Sequence, residues 1–203
     1  RIESVGELES LVGLPGELVI RKELSELDAH MRAFIDDSPF VLIGTSGADG
    51  RLDVSPRGDL RAVARVLGPK DIIIADRPGN RRVDSLRNII ATGRIALLFL
   101  VPGMGETLRV NGHACVMRDE EHLKTLAVAG KTPILGIGVE VEECFFQCAK
   151  ALIRSKLWDH HSQHANASPE HFAQTLLEQT SVADETVESL AEKINAAYRD
   201  RLY

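Results

Sequence analysis

Short apolar segments separated by turn-forming residues recur through the middle of the chain, and they constrain its fold more than any other feature. The segments predicted as strands are 40–44, 52–55, 62–67, 72–75, 95–101, 107–117 and 134–144. Only one helix is predicted between these strands before residue 118, over 83–90, from its helical spacing of apolar residues. Six or seven short strands with this one mid-chain helix favour a small antiparallel barrel flanked by helices. The lack of regular strand–helix alternation disfavours a Rossmann-type sheet.

Helical patterns extend the chain on both sides of the strands. An apolar stripe predicts a helix over 23–36, which Ser38-Pro39 ends. Further helices are predicted over 119–127 and 146–158, and two more after Ser168. We expect one domain in three parts: a helical extension at 1–37, the barrel at 38–158 and a helical tail at 159–203.

Charge is unevenly distributed along the chain. The net charge of −6 argues against a general nucleic-acid binder. Residues 51–94 nevertheless hold ten Arg/Lys and five Asp/Glu, a net of +5 between acidic ends. This pattern predicts a local anion site, although most of these charges are expected to be solvated on the surface.

Other features indicate the compartment. The longest apolar run, 95–101, is far shorter than the ~20 residues of a membrane helix. The first ten residues contain no signal-peptide pattern, and three cysteines do not make a disulfide framework. We therefore expect a soluble, cytoplasmic protein.

The segment 72–83 is the strongest candidate for the anion site. A predicted strand leads through a tight turn into a helix, with Asn80 as the N-cap and Arg81 and Arg82 in the first helical turn. Cations are disfavoured there by roughly 0.3–1 kcal/mol each, so two arginines at this place suggest that an anion shares the site. Free amides and two guanidiniums would form a phosphate cradle. The alternative is that the arginines face solvent or reach Asp84.

Three other groups have alternative interpretations. The His-His-x-x-His pattern at 160–164 has metal-binding residue types, but a solvated polar linker is the favoured interpretation. Cys144 and Cys148 are predicted to be packed thiols rather than a redox pair. His113 lies on a predicted strand, either as a haem ligand or as an ordinary surface or packed residue.

Five motifs, in order, resemble the pyridoxamine 5′-phosphate oxidase-related family of FMN-binding split-barrel proteins. They are 54–59, 74–76 with 80–86, 95–100, 106–114 and 148–158, within a resemblance that covers about 39–158. The segment 106–114 is similar to the family's Arg-Val-x-Gly strand, and 102–114 and 148–158 resemble a bacterial subgroup described as FMN-dependent enzymes. The resemblance implies a mainly β, six-stranded antiparallel split barrel with helical extensions. It also implies a homodimer with FMN at the subunit interface.

The resemblance also implies which residues bind FMN. Arg81 and Arg82, with Asn80, would hold the phosphate, and Arg57 or Arg109 would place a cation near the N1–O2 edge of the ring. Pairing of Arg109 with a surface acid is the alternative. The residues implied for the ring and ribityl chain are Val54, Ser55, Arg57, Ala75, Asp76 and Thr107, with Lys150, Arg154 and Trp158 reaching in from the partner chain.

Three departures from the family pattern bear on the activity. The chain has Arg81-Arg82 where true pyridoxamine phosphate oxidases have Arg-Lys, and Thr107 where they have Gln. Their C-terminal Arg-Leu-His motif is also absent, which disfavours oxidation of a vitamin B6 phosphate. We expect an oxidoreductase that acts on a small molecule through the flavin N5. The alternatives are a non-catalytic flavin-binding or sensing protein, and a haem or deazaflavin binder on the same fold.

Overall fold

The computed structural model of the chain describes residues 1–159, 168–180, 185–200 and 202–203. The helices are α1 (Val5–Val12), α2 (Glu17–Arg21), α3 (Ala29–Asp37), α4 (Asp84–Thr92), α5 (Glu120–Lys124), α6 (Lys150–Ser155), α7 (Pro169–Thr180) and α8 (Val187–Asp200). The strands are β1 (Phe40–Ser46), β2 (Leu52–Gly58), β3 (Ala64–Val66), β4 (Asp71–Asp76), β5 (Arg94–Leu100), β6 (Thr107–Met117) and β7 (Leu135–Gln147). No helix among the described residues is long and apolar enough to cross a membrane.

The strands form one antiparallel sheet in the order β2-β1-β5-β6-β7-β4-β3. The architecture is mainly β with flanking helices, as expected, and the sheet has seven strands, one more than the six that the family resemblance implied. The sheet curls so that its two ends approach each other. Arg57 of β2 lies 3.5 Å from Asp76 at the end of β4, and Arg77 lies 2.5 Å from Asp59. The result is a half-barrel whose ends meet through side chains.

One face of the sheet, called here the inner face, is covered by α3 and α4. The N-cap Asp28 accepts a hydrogen bond from the Met31 backbone N–H at 2.8 Å, and α3 buries Met31, Phe34 and Ile35. The amphipathic helix α4 buries Leu86 and Ile89. These side chains pack with inward-pointing residues of the strands, among them Val41, Ile43, Leu97, Phe99, Leu108 and Val110. Burial of this apolar cluster is the main driving force for the fold.

The opposite side of β2, β1 and β5 is called the outer face. Its residues follow from the strand register, because directly paired residues point to the same side. Val54 pairs with Gly44 and Gly44 with Ala96, while Leu42 pairs with Leu98. The outer face is therefore apolar and includes Leu42, Leu52, Val54, Pro56, Ala96 and Leu98.

Gly112 occupies a bulge where the register of β6 and β7 shifts after Asn111. A Cβ at this position would lie 2.0 Å from the Glu140 carbonyl oxygen, a separation that no side chain permits. The close approach of the two backbones therefore requires glycine here.

Several predicted helix boundaries are wrong. The helix predicted over 23–36 begins only at Ala29, because Leu24 lies in an extended segment that pairs with Cys144 through two backbone hydrogen bonds of 3.0 and 2.8 Å. The helix predicted over 146–158 gives way to the end of β7 and the short α6, and that predicted over 119–127 spans only α5. The two tail helices are present, and Ser168 accepts from the His171 N–H at 3.3 Å as an N-cap.

Candidate cofactor-binding site

The loop between β4 and α4 differs from its predicted geometry. Because α4 begins at Asp84, Arg81 and Arg82 precede the helix and do not lie in its first turn, so that prediction was wrong. The Asn80 side chain accepts a hydrogen bond from the Arg82 N–H at 3.0 Å, which closes a turn inside the loop, and Val83 occupies the cap position. Arg81 (φ 63°) and Val83 (φ 52°) both adopt the left-handed conformation. For a β-branched residue such as valine this conformation is a genuine outlier, so the loop is strained at its junction with the helix.

The two arginines of this loop differ in whether their guanidinium groups have a partner. The Arg82 guanidinium binds the carboxylate of Asp84, and this hydrogen bond raises the pKa of Arg82. Pairing with Asp84, an alternative raised by the sequence, thus applies to Arg82. Arg81 is exposed, and its guanidinium has no hydrogen bond or ion pair with any described residue. A free guanidinium beside a second one suits an anion with several oxygen atoms.

Strand β2 turns its polar side chains inward and its apolar side chains outward. Asp53, Ser55 and Arg57 are half-buried on the inner side, whereas Leu52 and Val54 are 83% and 69% exposed. The usual arrangement of a half-buried strand is the reverse. As a consequence, Val54 does not share a face with Ser55 and Arg57, although the resemblance implies all three for the flavin ring.

Asp53 connects β2 with the beginning of α4. Its carboxylate accepts hydrogen bonds from the Ser85 hydroxyl at 2.6 Å and the Ser55 hydroxyl at 2.9 Å. Thr45 lies 3.5 Å from the same carboxylate and accepts from the Asn88 amide at 3.0 Å. Ser85 and Thr45 are only 1% and 6% exposed, so the network is largely sheltered from water. It fixes the loop that carries the arginines against β2.

Asp53 was not among the residues predicted from the sequence. A signal for it is nevertheless present, because Asp53, Ser55, Arg57 and Asp59 alternate with the less polar Leu, Val, Pro and Gly along 52–59. Alternation of this kind places four polar side chains on one face of a strand.

Arg57 and Asp76 form a half-buried ion pair beside this network. Their side chains are 18% and 21% exposed, and the shortest N–O distance is 3.5 Å. Burial raises the pKa of Asp76, and the nearby Arg57 guanidinium only partly offsets the effect. A second pair, Arg77 with Asp59, is more deeply buried, at 12% and 6% exposed. Both pairs join the β2 end of the sheet to the end of β4.

The remaining predicted residues of the barrel lie apart from this group. Thr107 is 5% exposed, and its hydroxyl donates to the Gln147 amide oxygen at 3.2 Å. Arg109 lies 3.6 Å from Glu143 and 5.2 Å from the centre of the Phe145 ring, which is the surface pairing that the sequence left as an alternative. Ala75 is 3% exposed, so little more than its backbone is available to a ligand.

Helix α6 borders a shallow cavity of about 340 Å³. The indole N–H of Trp158 donates to the Met104 carbonyl at 2.6 Å, which fixes the ring at the cavity wall. Glu106 and Lys156 also line the cavity, whereas Lys150 and Arg154 are exposed and lie outside its lining.

The strand register gives the distance within one chain between the residues around Arg57 and those around Thr107. Arg57 pairs with Val41, Val41 with Phe99, and Phe99 with Leu108, the neighbour of Thr107. Three strand spacings correspond to roughly 14 Å. A single chain therefore brings Ser55, Arg57, Asp76 and Arg82 into one region and leaves Thr107, Arg109 and α6 in another.

The other groups considered from the sequence have these positions. His113 lies 3.0 Å from Glu142, which also binds Arg94 at 3.0 Å, in a surface cluster. Cys144 is buried in β7, where burial raises its pKa to about 11, and Cys148 is exposed. The described residues contain no group of three His, Cys, Asp or Glu side chains that would hold a metal, and the pattern at 160–164 lies outside them.

A curled antiparallel sheet with helices packed on its inner face defines this chain as a split-barrel protein. Residues 27–148 match the family model described as pyridoxamine 5′-phosphate oxidase. The chain belongs to the pyridoxamine 5′-phosphate oxidase family, and the resemblance inferred from its motifs is confirmed. Members of this family typically bind a flavin.

Solved structures with similar folds have low sequence identity to this chain. HupZ from group A Streptococcus is 18% identical, with 60% of this chain and 94% of that chain covered and a TM-score of 0.51. An FMN-binding protein from Syntrophomonas wolfei is 14% identical, with coverages of 57% and 82% and a TM-score of 0.44. The similarity to HupZ supports the fold alone. The comparison with curated proteins finds no match.

Proposed function

We propose that this chain is an FMN-dependent oxidoreductase that works as a homodimer with the flavin at the subunit interface. The observation that carries the proposal is the loop before α4, where Arg81 has no partner among the described residues and Arg82 lies next to it. Family membership supports a flavin phosphate as the anion for this loop.

The chemistry of the loop suits a phosphate. Each guanidinium presents parallel N–H donors that match two phosphate oxygens, and Arg82 would exchange the Asp84 carboxylate for the phosphate. Asn80 would act indirectly, because its side chain is already used to hold the loop in shape. Asp53 would keep this loop in place through Ser85.

The rest of the cofactor needs apolar surface and a few polar groups. Ser55, Arg57 and Asp76 would supply the polar groups from the inner side, with Ala75 contributing its backbone, whereas Val54 lies on the opposite face of β2 and is not assigned to this flavin. Thr107 lies roughly 14 Å from Arg57 in its own chain, so a contact from Thr107 of the second subunit would complete the site opposite Arg57. Lys150, Arg154 and Trp158 would also reach the flavin from the second subunit, as the resemblance implies.

Bound FMN supplies hydride or electron transfer at N5, and the protein supplies orientation and electrostatics. In this chain Arg57 is partly neutralised by Asp76. Since burial raises the pKa of Asp76, its carboxylate takes up a proton more readily than an exposed one would. Protonation at Asp76 would free the Arg57 charge to stabilise an anion beside it.

The first test is the visible spectrum of protein purified without added cofactor, with mass spectrometry of the released ligand. We expect a flavin band near ~450 nm and about one FMN per chain. A sharp haem band near ~400 nm, or a colourless protein that also fails to take up FMN, would contradict the proposal. Anaerobic reduction by NADH or NADPH would then support an oxidoreductase, and a flavin that no donor reduces would favour a binding or sensing role.

A further inference from the structure

Tyr203 packs against the ion pair that joins the end of β2 to the end of β4. The centre of its ring lies 5.3 Å from the guanidinium carbon of Arg77, and its hydroxyl is hydrogen-bonded to the Asp59 carboxylate. Burial and this hydrogen bond raise the pKa of Tyr203, so the phenol keeps its proton and acts as the donor. The Lys131 ammonium donates to the Tyr203 carbonyl oxygen at 2.9 Å, which holds the backbone of Tyr203 in place.

Arg77 connects Tyr203 with both sides of this join. Its guanidinium donates to the Asp59 carboxylate, which follows β2, and to the Leu126 carbonyl at 2.6 Å, which follows α5. The side chains of Arg77 and Asp59 are only 12% and 6% exposed. An ion pair sheltered from water is stronger than an exposed one, and an aromatic ring against the cation adds a further attraction. Tyr203 therefore stabilises the contact between the two ends of the sheet.

The same ion pair lies next to two residues of the proposed flavin site. Arg57 is two positions before Asp59 in the alternation of β2, and Asp76 immediately precedes Arg77. Main-chain hydrogen bonds do not join β2 to β4 directly, so side-chain contacts set the distance between Arg57 and Asp76. A change at Arg77 and Asp59 therefore reaches Arg57 and Asp76 through only one or two residues of backbone.

We propose that Tyr203 is a positioning residue for the flavin site, because it covers Arg77 and Asp59 and so fixes the Arg57 and Asp76 side chains beside them. The inference rests on the proposed function for the role of Arg57 and Asp76. The contact between Tyr203 and the ion pair does not depend on a bound flavin, and it is tested separately.

The test uses three variants. Tyr203→Ala removes the ring and the hydroxyl, Tyr203→Phe removes the hydroxyl alone, and Tyr198→Ala is the matched control at a tyrosine of α8 that is 56% exposed. Amide hydrogen exchange of a peptide over 57–61 reports on the contact, because the Leu60 N–H donates to the Asp59 carboxylate at 2.9 Å. We expect exchange about 3- to 30-fold faster in Tyr203→Ala, with most of the protection kept in Tyr203→Phe. Equal exchange in Tyr203→Ala and Tyr198→Ala would overturn the contact.

Modification of arginines by phenylglyoxal follows Arg57 itself and needs no flavin. Mass spectrometry compares the rate at Arg57, which is 18% exposed, with the rate at Arg51, whose side chain is 90% exposed and serves as the internal reference. We expect Tyr203→Ala to accelerate modification of Arg57 by about 3- to 30-fold and to leave that of Arg51 unchanged, and Tyr203→Phe to restore most of the protection. Faster modification together with an equal loss of exchange protection in all core strands would indicate general destabilisation and would rule out a positioning role.

Titration of the same variants with FMN separates failure of this inference from failure of the proposed function. We expect Tyr203→Ala to bind FMN at least about threefold more weakly and Tyr203→Phe to recover most of the affinity. An unchanged Kd in Tyr203→Ala, in a chain that does bind FMN, would remove the positioning role alone. A chain that binds no FMN removes the proposed function and the role of Tyr203 at that site together, whatever the exchange and modification rates are.

Discussion

Arg81 and Arg82 are adjacent in sequence, but the structure predicts that they contribute unequally to FMN binding. Arg82 must release Asp84 before it can bind a phosphate, whereas Arg81 has no such competitor. A hydrogen bond to a charged group contributes about 1.5–3 kcal/mol, which corresponds to roughly 10–150-fold in Kd. We therefore expect Arg81→Ala to weaken FMN binding by a factor in this range.

Substitution of Asp84 should have the opposite effect. Asp84→Asn frees the Arg82 guanidinium and removes a negative charge next to the proposed phosphate. Because an exposed ion pair is weak, the expected gain is modest, about two- to fivefold tighter binding. Quenching of flavin fluorescence during titration of the apoprotein with FMN measures both effects.

A matched control is available in α5. Glu120 is also an acid in the first turn of a helix, and it lies 3.7 Å from Lys124, so Glu120→Gln removes a comparable charge far along the chain. This variant should leave the Kd unchanged. If Arg81→Ala binds FMN normally, or if Asp84→Asn weakens binding while the control does not, the assignment of this loop to the phosphate is refuted.

Three further predictions concern stability. Gly112→Ala should lower stability by about 3 kcal/mol, since the new Cβ would lie 2.0 Å from a carbonyl oxygen, and thermal unfolding should then shift down by roughly 6–12 °C. Gly79→Ala is the control, because a Cβ added at Gly79 would have no other atom within 4 Å. Equal melting temperatures of the two variants would contradict the clash at Gly112. Asp53→Ala should lower the free energy of unfolding, measured with urea, by about 2–4 kcal/mol, because it leaves the buried Ser85 hydroxyl without its acceptor. An unchanged urea midpoint would show that the network does not stabilise the fold. The thiol of Cys144, with its pKa raised to about 11 by burial, should make stability fall as pH rises from 9 towards 11, because in that window only the unfolded chain loses the proton. Cys144→Ala should reduce this loss, and an identical pH dependence of unfolding in both proteins would refute it.

The strands were predictable because their patterns are local. Spacing alone predicted strands over 95–101 and 107–117, and the structure has β5 at Arg94–Leu100 and β6 at Thr107–Met117. Residues 23–28 show where this fails, since their apolar spacing continues that of α3. Their extended conformation depends on pairing of Leu24 with Cys144, 120 positions away, and no local pattern contains that contact.

The candidate site was predictable in chemistry but not in shape. The pair Arg81-Arg82 stands out in the sequence as an unusual concentration of charge before a helix. The left-handed backbone at Arg81 and Val83 has no such signal, because neither residue type favours it, and only the surrounding fold imposes it. The side on which each residue of β2 lies follows from its alternation, but which side is buried depends on α4.

The two ends of the sheet, β2 and β3, are not paired with each other by main-chain hydrogen bonds. Two side-chain ion pairs, Arg57 with Asp76 and Asp59 with Arg77, join this end of β2 and the residue after it to the end of β4. A strand ladder separates only when many bonds break together, whereas individual side-chain contacts open and close on their own. The half-barrel can therefore part along this line while the core under α3 and α4 stays packed. Such an opening would uncover the Arg57 and Asp76 side chains, which are 18% and 21% exposed in this structure, without breaking any strand ladder.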